Sequence, residues 1–475
     1  MAKYYDAETD RLEKLILKAR ETAEAIRSFG GKFRVVSHYD CDGICAAAIM
    51  VKALSGEGKD FHLSFVEQLT GDEIESLAKE KNGFIVFLDL GSGQLEGIKN
   101  SILHGGAKVV VSDHHQLEGA VPDGVMHINP MDYGITDNIS GSGMAYLLAR
   151  AMSHENRGLS ELGVIGAIGD SQMGSIGADW GLFGLNKEIL KDAQVTGKIQ
   201  VSRGLRVWGK TTRPLHKALE YSLDPYIPGV SGSESGSVHL LQELGIPLKN
   251  EDGEWRTISD LSGDEAKTLS SEIIKERMRG NEANPEWIFG DVYELLEKPD
   301  FRDANEFATL LNAAGKQGLG YLGISLCLNN PAVFSEIRGV LDRYRREIGR
   351  SLNWVYKSRE AVRVTESASF IIANGNIPEH VISNVTSIIS RSGFVPHDRP
   401  VFAFVDTGNG KVKISARASD ELVGRGLNLR DIMVEAVKEI GGEAGGHRGA
   451  SGGRIPKGSE EMFINRVGLI LKNKG

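Results

Sequence analysis

Acids and imidazoles stand at the ends of apolar runs four times in the first 170 residues. FRVVSHYDCDG (33–43) delivers His38, Asp40 and Asp42, and FIVFLDLGSG (84–93) delivers Asp89. KVVVSDHHQ (108–116) delivers Asp113, His114 and His115, and VIGAIGDS (164–171) delivers Asp170. Alternation along a strand through residue 42 predicts that His38, Asp40 and Asp42 share one face. Cys41 then falls on the other face, and Cys41 and Cys45 read as core residues rather than zinc ligands. Taken singly, Asp-x-Asp-Gly is a turn or helix cap and a His-His pair is a surface loop. Four such sites in order are not explained by caps. Carboxylates gathered in one crevice repel and raise one another's pKa, a conflict that divalent cations remove. Carboxylates with a few imidazoles and no thiolate favour Mn²⁺ or Mg²⁺ over zinc. The chemistry this set offers is two-metal hydrolysis at a phosphoryl group. No Walker loop and no nucleophile elbow competes with it.

The elements that must position these residues alternate. Amphipathic or alanine-rich helices are expected at 10–28, 43–54, 144–152 and 161–168. Strands are expected at 33–42, 61–66, 84–90 and 108–113. Several strands are near-continuous apolar runs, as in parallel strands covered on both faces. The expectation is an α/β, doubly wound parallel sheet whose carboxyl ends line the crevice. At 475 residues the chain is long enough for about three domains. After about residue 190 the pattern changes. Residues 1–215 are expected to form the catalytic domain, 216–300 a small acidic helical insertion, and 301–330 a return to the first domain. A basic linker helix (331–365) and a second α/β domain (366–475) follow. The last domain contains strands 369–373, 401–406 and 411–417, a helix 429–440 and a glycine-rich turn.

Composition is ordinary for a folded protein: 41% hydrophobic and 25% charged residues. No apolar run approaches the ~18 residues of a membrane span. A charged start and only three cysteines fit a reducing cytoplasm. Net charge is −9, so any attraction to nucleic acid must be local. Residues 198–213 carry five basic residues and no acid, and 338–363 carry eight basic and three acidic, interleaved with Tyr344, Trp354 and Tyr356. Residues 251–299 carry thirteen acidic and six basic residues. Nucleic acid favours the first two segments and avoids the third. Seven of the thirteen residues 441–453 are glycine, a turn whose exposed N–H groups suit phosphate oxygens, with His447, Arg448 and Arg454 adding charge.

The strings SHYDCDG, FLDLGSG, VSDHHQ and IGAIGDS resemble the four motifs of the DHH phosphoesterases. LLNAAGKQG (310–318) resembles the Asn-Ala-Ala-Gly-Arg motif of the RecJ branch, with Lys316 in place of arginine. EAGGHRGASGG (443–453) is similar to the signature of the associated DHHA1 domain, without its usual paired alanines. The whole looks most like archaeal RecJ-like proteins, including the GINS-associated nuclease. The resemblance implies that His38 and Asp40 bind a first metal, that Asp89 bridges, and that Asp42, His114 and Asp170 bind a second. It implies that His115 faces the scissile phosphate and Asp113 orients a histidine. It implies substrate contacts from Asn312, Ser415, Arg417, Gly445, Gly446, His447 and Arg448. Two divalent ions, Mn²⁺ before Mg²⁺, are the implied cofactors. The implied activity is 5′→3′ exonuclease action on single-stranded DNA, and on RNA as a second substrate, in replication or repair. A cleft between two lobes is expected to admit a single strand and exclude a duplex. GINS and the replicative helicase are the implied partners, with the acidic insertion as their contact. A nanoRNase or cyclic-dinucleotide phosphodiesterase shares these motifs and is the alternative enzyme. An inactive replisome scaffold is the alternative of another class. Inorganic pyrophosphatases have a longer His-to-Asp spacing than His38-x-Asp40.

Overall fold

The computed structural model describes residues 2–135, 139–174, 181–222, 225–280, 282, 285–298, 300–391 and 394–474. Two compact units emerge: Met1–Glu276 with Glu286–Arg338, and Arg277–Pro285 with Gly339–Gly475.

In the first unit, helix α1 (Ala2–Ser28) buries Leu15, Ala19, Ala23 and Ile26, a stripe at helical spacing. Five strands follow: β1 (Phe33–His38), β2 (Phe61–Val66), β3 (Phe84–Leu88), β4 (Lys108–Ser112) and β5 (Val125–Ile128). They form a parallel sheet in the order β2-β1-β3-β4-β5. All of β3 is buried, as are all but one residue each of β1 and β4, which is why these runs are apolar throughout. One face packs against α3 (Gly71–Lys79) and the turn around Ile98 and Ile102, through Val36, Ile85, Phe87, Val109 and Val111. Helix α2 (Cys41–Gly56) also lies against the sheet, beside the helices Gly141–Met152 and Ser160–Gly169. Strand order reverses between β1 and β3, so a crevice opens at their carboxyl ends.

The strand expected to run to residue 42 ends at His38. Asp40 is the N-cap of α2, with φ −80° and ψ −172°, and its carboxylate accepts the Gly43 N–H at 3.0 Å. Capping satisfies a helix donor that an extended chain does not present, and it starts the helix at Cys41. Cys41 therefore sits on a helix, not on a strand face. It is buried, as are Cys45 and Cys327.

The insertion is not purely helical. β6 (Ile199–Leu205) and β7 (Phe289–Leu295) pair antiparallel from Ile199↔Leu295 to Leu205↔Phe289. The ribbon frames the helices Leu215–Glu220, Glu234–Glu243 and Gly263–Arg279, which share a core of Leu215, Leu219, Ile227, Leu240, Leu241, Leu269 and Ile273. The helices Ala304–Lys316 and Gly320–Cys327 then return to α2.

In the second unit β8 (Val362–Val364), β9 (Ser369–Ile372), β10 (Val401–Asp406), β11 (Lys411–Arg417), β12 (Glu443–Gly446) and β13 (Ala450–Pro456) form one sheet, ordered β12-β13-β11-β10-β9-β8. β9 and β10 run parallel, and the other neighbours antiparallel. Phe370, Phe402, Phe404 and Phe463 centre its core. The glycine-rich turn is the β12–β13 strand pair. Among the described residues no helix is long and apolar enough to cross a membrane.

Candidate metal centre

The crevice at the ends of β1, β3 and β4 collects the eight acids and imidazoles of the four strings. His38 Nδ1 lies 3.1 Å from Asp40 Oδ1 and 3.4 Å from Asp89 Oδ2. His114 Nε2 lies 3.3 Å from Asp89 Oδ1, 3.6 Å from Asp170 Oδ2 and 3.9 Å from Asp42 Oδ2. Three overlapping groups of potential ligands result among the described residues, His38–Asp40–Asp89, Asp42–His114–Asp170 and Asp89–Asp113–His114–His115, the donor atoms of each within 4.8 Å of one another. Asp89 spans the first two, one oxygen toward each. His115 Nδ1 meets Asp113 Oδ1 at 2.7 Å, and Asp113 also accepts the His114 and His115 backbone N–H groups.

His38 Nδ1, Asp89 Oδ1 and His114 Nε2 are buried without a hydrogen-bond partner. Buried polar atoms normally find one, and each of these three has another donor or acceptor atom of the cluster within 4 Å. Oxygen and imidazole donors in this number suit divalent cations such as Mn²⁺ or Mg²⁺. The residues therefore fit divalent metal ions.

Without cations the cluster competes for protons. Burial and the charges of Asp89 and Asp170 push the Asp42 carboxyl well above its ordinary range. Burial likewise raises Asp170, against the pull of His114. Burial disfavours a charged His114, but Asp89, Asp170 and Asp42 outweigh it and hold the imidazole up at about 10. His38 is raised in the same way by Asp40 and Asp89 against its burial. Burial acts against the charged forms of Asp40 and Asp113 too, yet His38 holds the first and His115 the second below the usual carboxylate range.

Helix ends and glycines shape the walls. Gly141 and Ser142 N–H groups, at the start of Gly141–Met152, donate to the two Asp42 oxygens at 2.6 and 3.0 Å. A Cβ on Gly166 would sit 2.3 Å from Asp42 Oδ1 and 2.0 Å from Ser142 Oγ, so the first glycine of IGAIGDS is a matter of space. Asp89 has φ +58°, a left-handed backbone that non-glycine residues adopt at some cost.

Several participants escaped the sequence reading. Gln172 Nε2 donates to Asp170 Oδ2 at 2.8 Å, and Asn186 Nδ2 donates to Gln172 Oε1 at 2.7 Å. Neither belongs to a pattern, although Gln172 follows Asp170 by two residues. Ser92, His127, Asn129 and Asp132 are likewise built in around Asp113 and His115. Asn312, expected to contact substrate, accepts the Cys41 N–H with Oδ1 at 2.9 Å and so holds the start of α2.

The remaining expected contacts lie in the second unit. Ser415 is buried on β11, and Arg417 donates to Ser387 Oγ at 2.7 Å and to the Ala416 carbonyl at 2.8 Å. Gly445 and Gly446 pair with Gly452 and Ser451. His447 and Arg448 are exposed at the tip, and Arg454 meets Glu379 at 3.1 Å.

The basic segment 198–213 is largely committed within the protein. Lys198 pairs with Glu297 and Lys210 with Asp303, and the Arg206 and Arg213 guanidiniums lie over Trp287 and Trp208. In 338–363, Tyr344 is buried and donates to Asn384 Oδ1 at 2.7 Å, while Tyr356 packs on Phe394.

A parallel sheet of this order with acids and imidazoles at its switch point defines an α/β protein with a candidate site for divalent cations. Comparison with known proteins narrows it. The DHH family N-terminal domain matches residues 32–167, the DHH-CID domain 207–286 and the DHHA1 domain 381–473. An uncharacterised protein of Methanocaldococcus jannaschii is 30% identical over 97% of this chain and 98% of its own. The single-stranded-DNA-specific exonuclease RecJ of Thermus thermophilus is 27% identical over 46% of this chain and 33% of its own. Its crystal structure with Mn²⁺ superposes with a TM-score of 0.58 at 18% identity, covering 97% of this chain and 55% of that one. The CDC45 structure from Entamoeba histolytica gives a TM-score of 0.66 at 10% identity, covering 95% of this chain and 98% of that one. The chain belongs to the DHH phosphoesterase family, in its RecJ-like branch.

Proposed function

We propose that the protein is a metal-dependent exonuclease that hydrolyses single-stranded DNA from the 5′ end, with RNA as a second substrate. The observation that carries this reading is the pair of ligand groups joined by Asp89, with three buried donor atoms left unpartnered. The relation to the single-stranded-DNA-specific exonuclease RecJ and to its Mn²⁺ complex supports it. When bound, two divalent ions supply Lewis acidity toward the phosphoryl group and the attacking water. His38, Asp40 and Asp89 are assigned to one ion, and Asp89, Asp42, His114 and Asp170 to the other. Mn²⁺ is the preferred ion and Mg²⁺ the second choice. His115, held by Asp113, faces the scissile phosphate. Ser415, Arg417, the Gly445–Gly446 backbone, His447 and Arg448 are assigned to the strand beside the scissile bond, as is the remaining amide of Asn312.

The test uses one DNA and one RNA strand, each labelled separately at either end, with Mn²⁺, with EDTA and with Asp89→Ala. Mononucleotides released from the 5′ label of DNA, and lost with EDTA and in the variant, are the expected outcome. Release from the 3′ end of RNA revises substrate and polarity. Rapid cleavage of dinucleotides alone favours the short-substrate enzyme.

A second reading, a replisome scaffold, is favoured by the likeness to CDC45 over almost the whole chain. A role in replication or repair beside GINS and the replicative helicase is compatible with either reading. GINS binding that survives deletion of residues 224–299 rules out the acidic insertion as the contact.

A further inference from the structure

Behind the metal centre lies a second chain of polar side chains that none of the four strings contains in full. His127 Nδ1 is 2.6 Å from Asp132 Oδ2, and His127 Nε2 is 2.9 Å from Ser92 Oγ. These are the residue types of a hydrolytic triad, but Ser92 is fully buried and His127 is 2% exposed, so no substrate reaches the hydroxyl. The network instead runs inward. Asn129 Nδ2 donates to Ser92 Oγ at 3.0 Å and to the His115 carbonyl at 2.9 Å. The Ser92 N–H donates to Asp113 Oδ2 at 3.0 Å.

Donor and acceptor capacities allow one consistent ordering. The Asn129 carbonyl accepts the Met131 N–H at 2.9 Å, which fixes the amide with Nδ2 toward Ser92. With Asp132 as the acceptor at Nδ1, the neutral His127 tautomer accepts at Nε2. Ser92 then donates its hydroxyl proton to His127 and accepts from Asn129. Each group in this chain is satisfied, and its inner end grips both the backbone of His115 and the carboxylate that orients the His115 ring.

We propose that Ser92, His127 and Asp132 are positioning residues for His115, acting through Asn129 and Asp113. This rests on the assignment of His115 to the scissile phosphate. The chain needs no exposed hydroxyl and no covalent step. It removes the freedom of a two-histidine loop in which His114 is given to a metal and His115 to the substrate. A reacting group displaced by a fraction of its contact distance loses much of its effect on rate.

Full-length Ser92→Ala, Ser92→Thr and Asp132→Asn proteins test this against wild type. With Mn²⁺ and a labelled single strand, Ser92→Ala is expected to lower kcat on the order of tenfold with KM and Mn²⁺ affinity unchanged. Ser92→Thr keeps the hydroxyl and is expected to recover most of the rate. Wild-type kcat in Ser92→Ala, or a loss explained by weaker Mn²⁺ binding, overturns the proposal. A ¹⁵N-histidine spectrum without substrate gives a reading independent of turnover. The His115 resonances, assigned with His115→Gln, are expected to broaden or shift in Ser92→Ala and Asp132→Asn and to return in Ser92→Thr. Unchanged His115 resonances overturn the proposal whether or not any strand is cut. A wild type that cleaves nothing, yet shows this His115 response, overturns the nuclease assignment alone.

Discussion

Asp89 faces His38 with one oxygen and His114 with the other, and it does so from a left-handed backbone. Asparagine tolerates that backbone as well as aspartate does, and it lacks the buried charge. Asp89→Asn is therefore expected to abolish Mn²⁺ binding and hydrolysis while leaving the metal-free fold within about 1 kcal/mol of wild type, since relief of the repulsion on Asp42 and Asp170 offsets the carboxylate that His38 and His114 lose. Calorimetry with Mn²⁺ and thermal unfolding in EDTA check the two halves. A metal-free variant that melts well below wild type contradicts the second. Metal binding should also release protons. His114 is held up at about 10 and His38 well above its ordinary value, so without cations the cluster carries imidazole protons at neutral pH that cations must displace. Affinity is expected to rise with pH, and the heat of Mn²⁺ binding to depend on the ionisation enthalpy of the buffer. Equal heats in two such buffers at pH 7 would contradict this.

At the scale of elements, the middle module is held by more than its apolar core. Arg256 donates to both oxygens of Glu265 at 2.9 and 2.7 Å. The Arg256 guanidinium, with the Ser262 N–H, holds the Glu265 carboxyl down at about 2 from 4.5. A carboxyl depressed in the folded state stabilises above its unfolded pKa and loses that contribution as pH falls. Stability is thus expected to drop between about 4.5 and about 2, and Glu265→Gln should flatten melting curves over that window. An unchanged slope in the variant would rule the pair out. This scale also separates what the sequence could tell from what it could not. The apolar strands β1, β3 and β4 and the residues at their ends were legible because burial on both faces leaves a continuous run. The strand reading of residues 39–42 failed because a cap is decided by where the Asp40 carboxylate finds an N–H. β7 was hidden in an acidic segment, since its pairing with β6 spans some ninety residues. Gln172 and Asn186 carried no signal, and Ser92 stood inside FLDLGSG without a legible role, because their roles depend on what the fold brings beside them.

The two units carry separate cores, around the parallel sheet in one and around Phe370, Phe402, Phe404 and Phe463 in the other. The eight acids and imidazoles all belong to the first. A ligand that binds only the folded form stabilises by about 2.7 kcal/mol at a hundredfold excess over its Kd. Calorimetric scans are therefore expected to resolve a transition that Mn²⁺ raises and EDTA lowers, and a second that responds to neither. A single transition that moves as a whole contradicts this independence.

The left-handed aspartate has a further consequence, for descent. One transition mutation in its codon yields asparagine, a residue at ease in that backbone, and the change would remove the carboxylate that the proposed function assigns to both ions. Selection for folding alone would then be nearly indifferent to the change. If the proposed function holds, a lineage of this architecture would shed hydrolysis without passing through an unstable ancestor, and demand for the reaction would keep the charge in place.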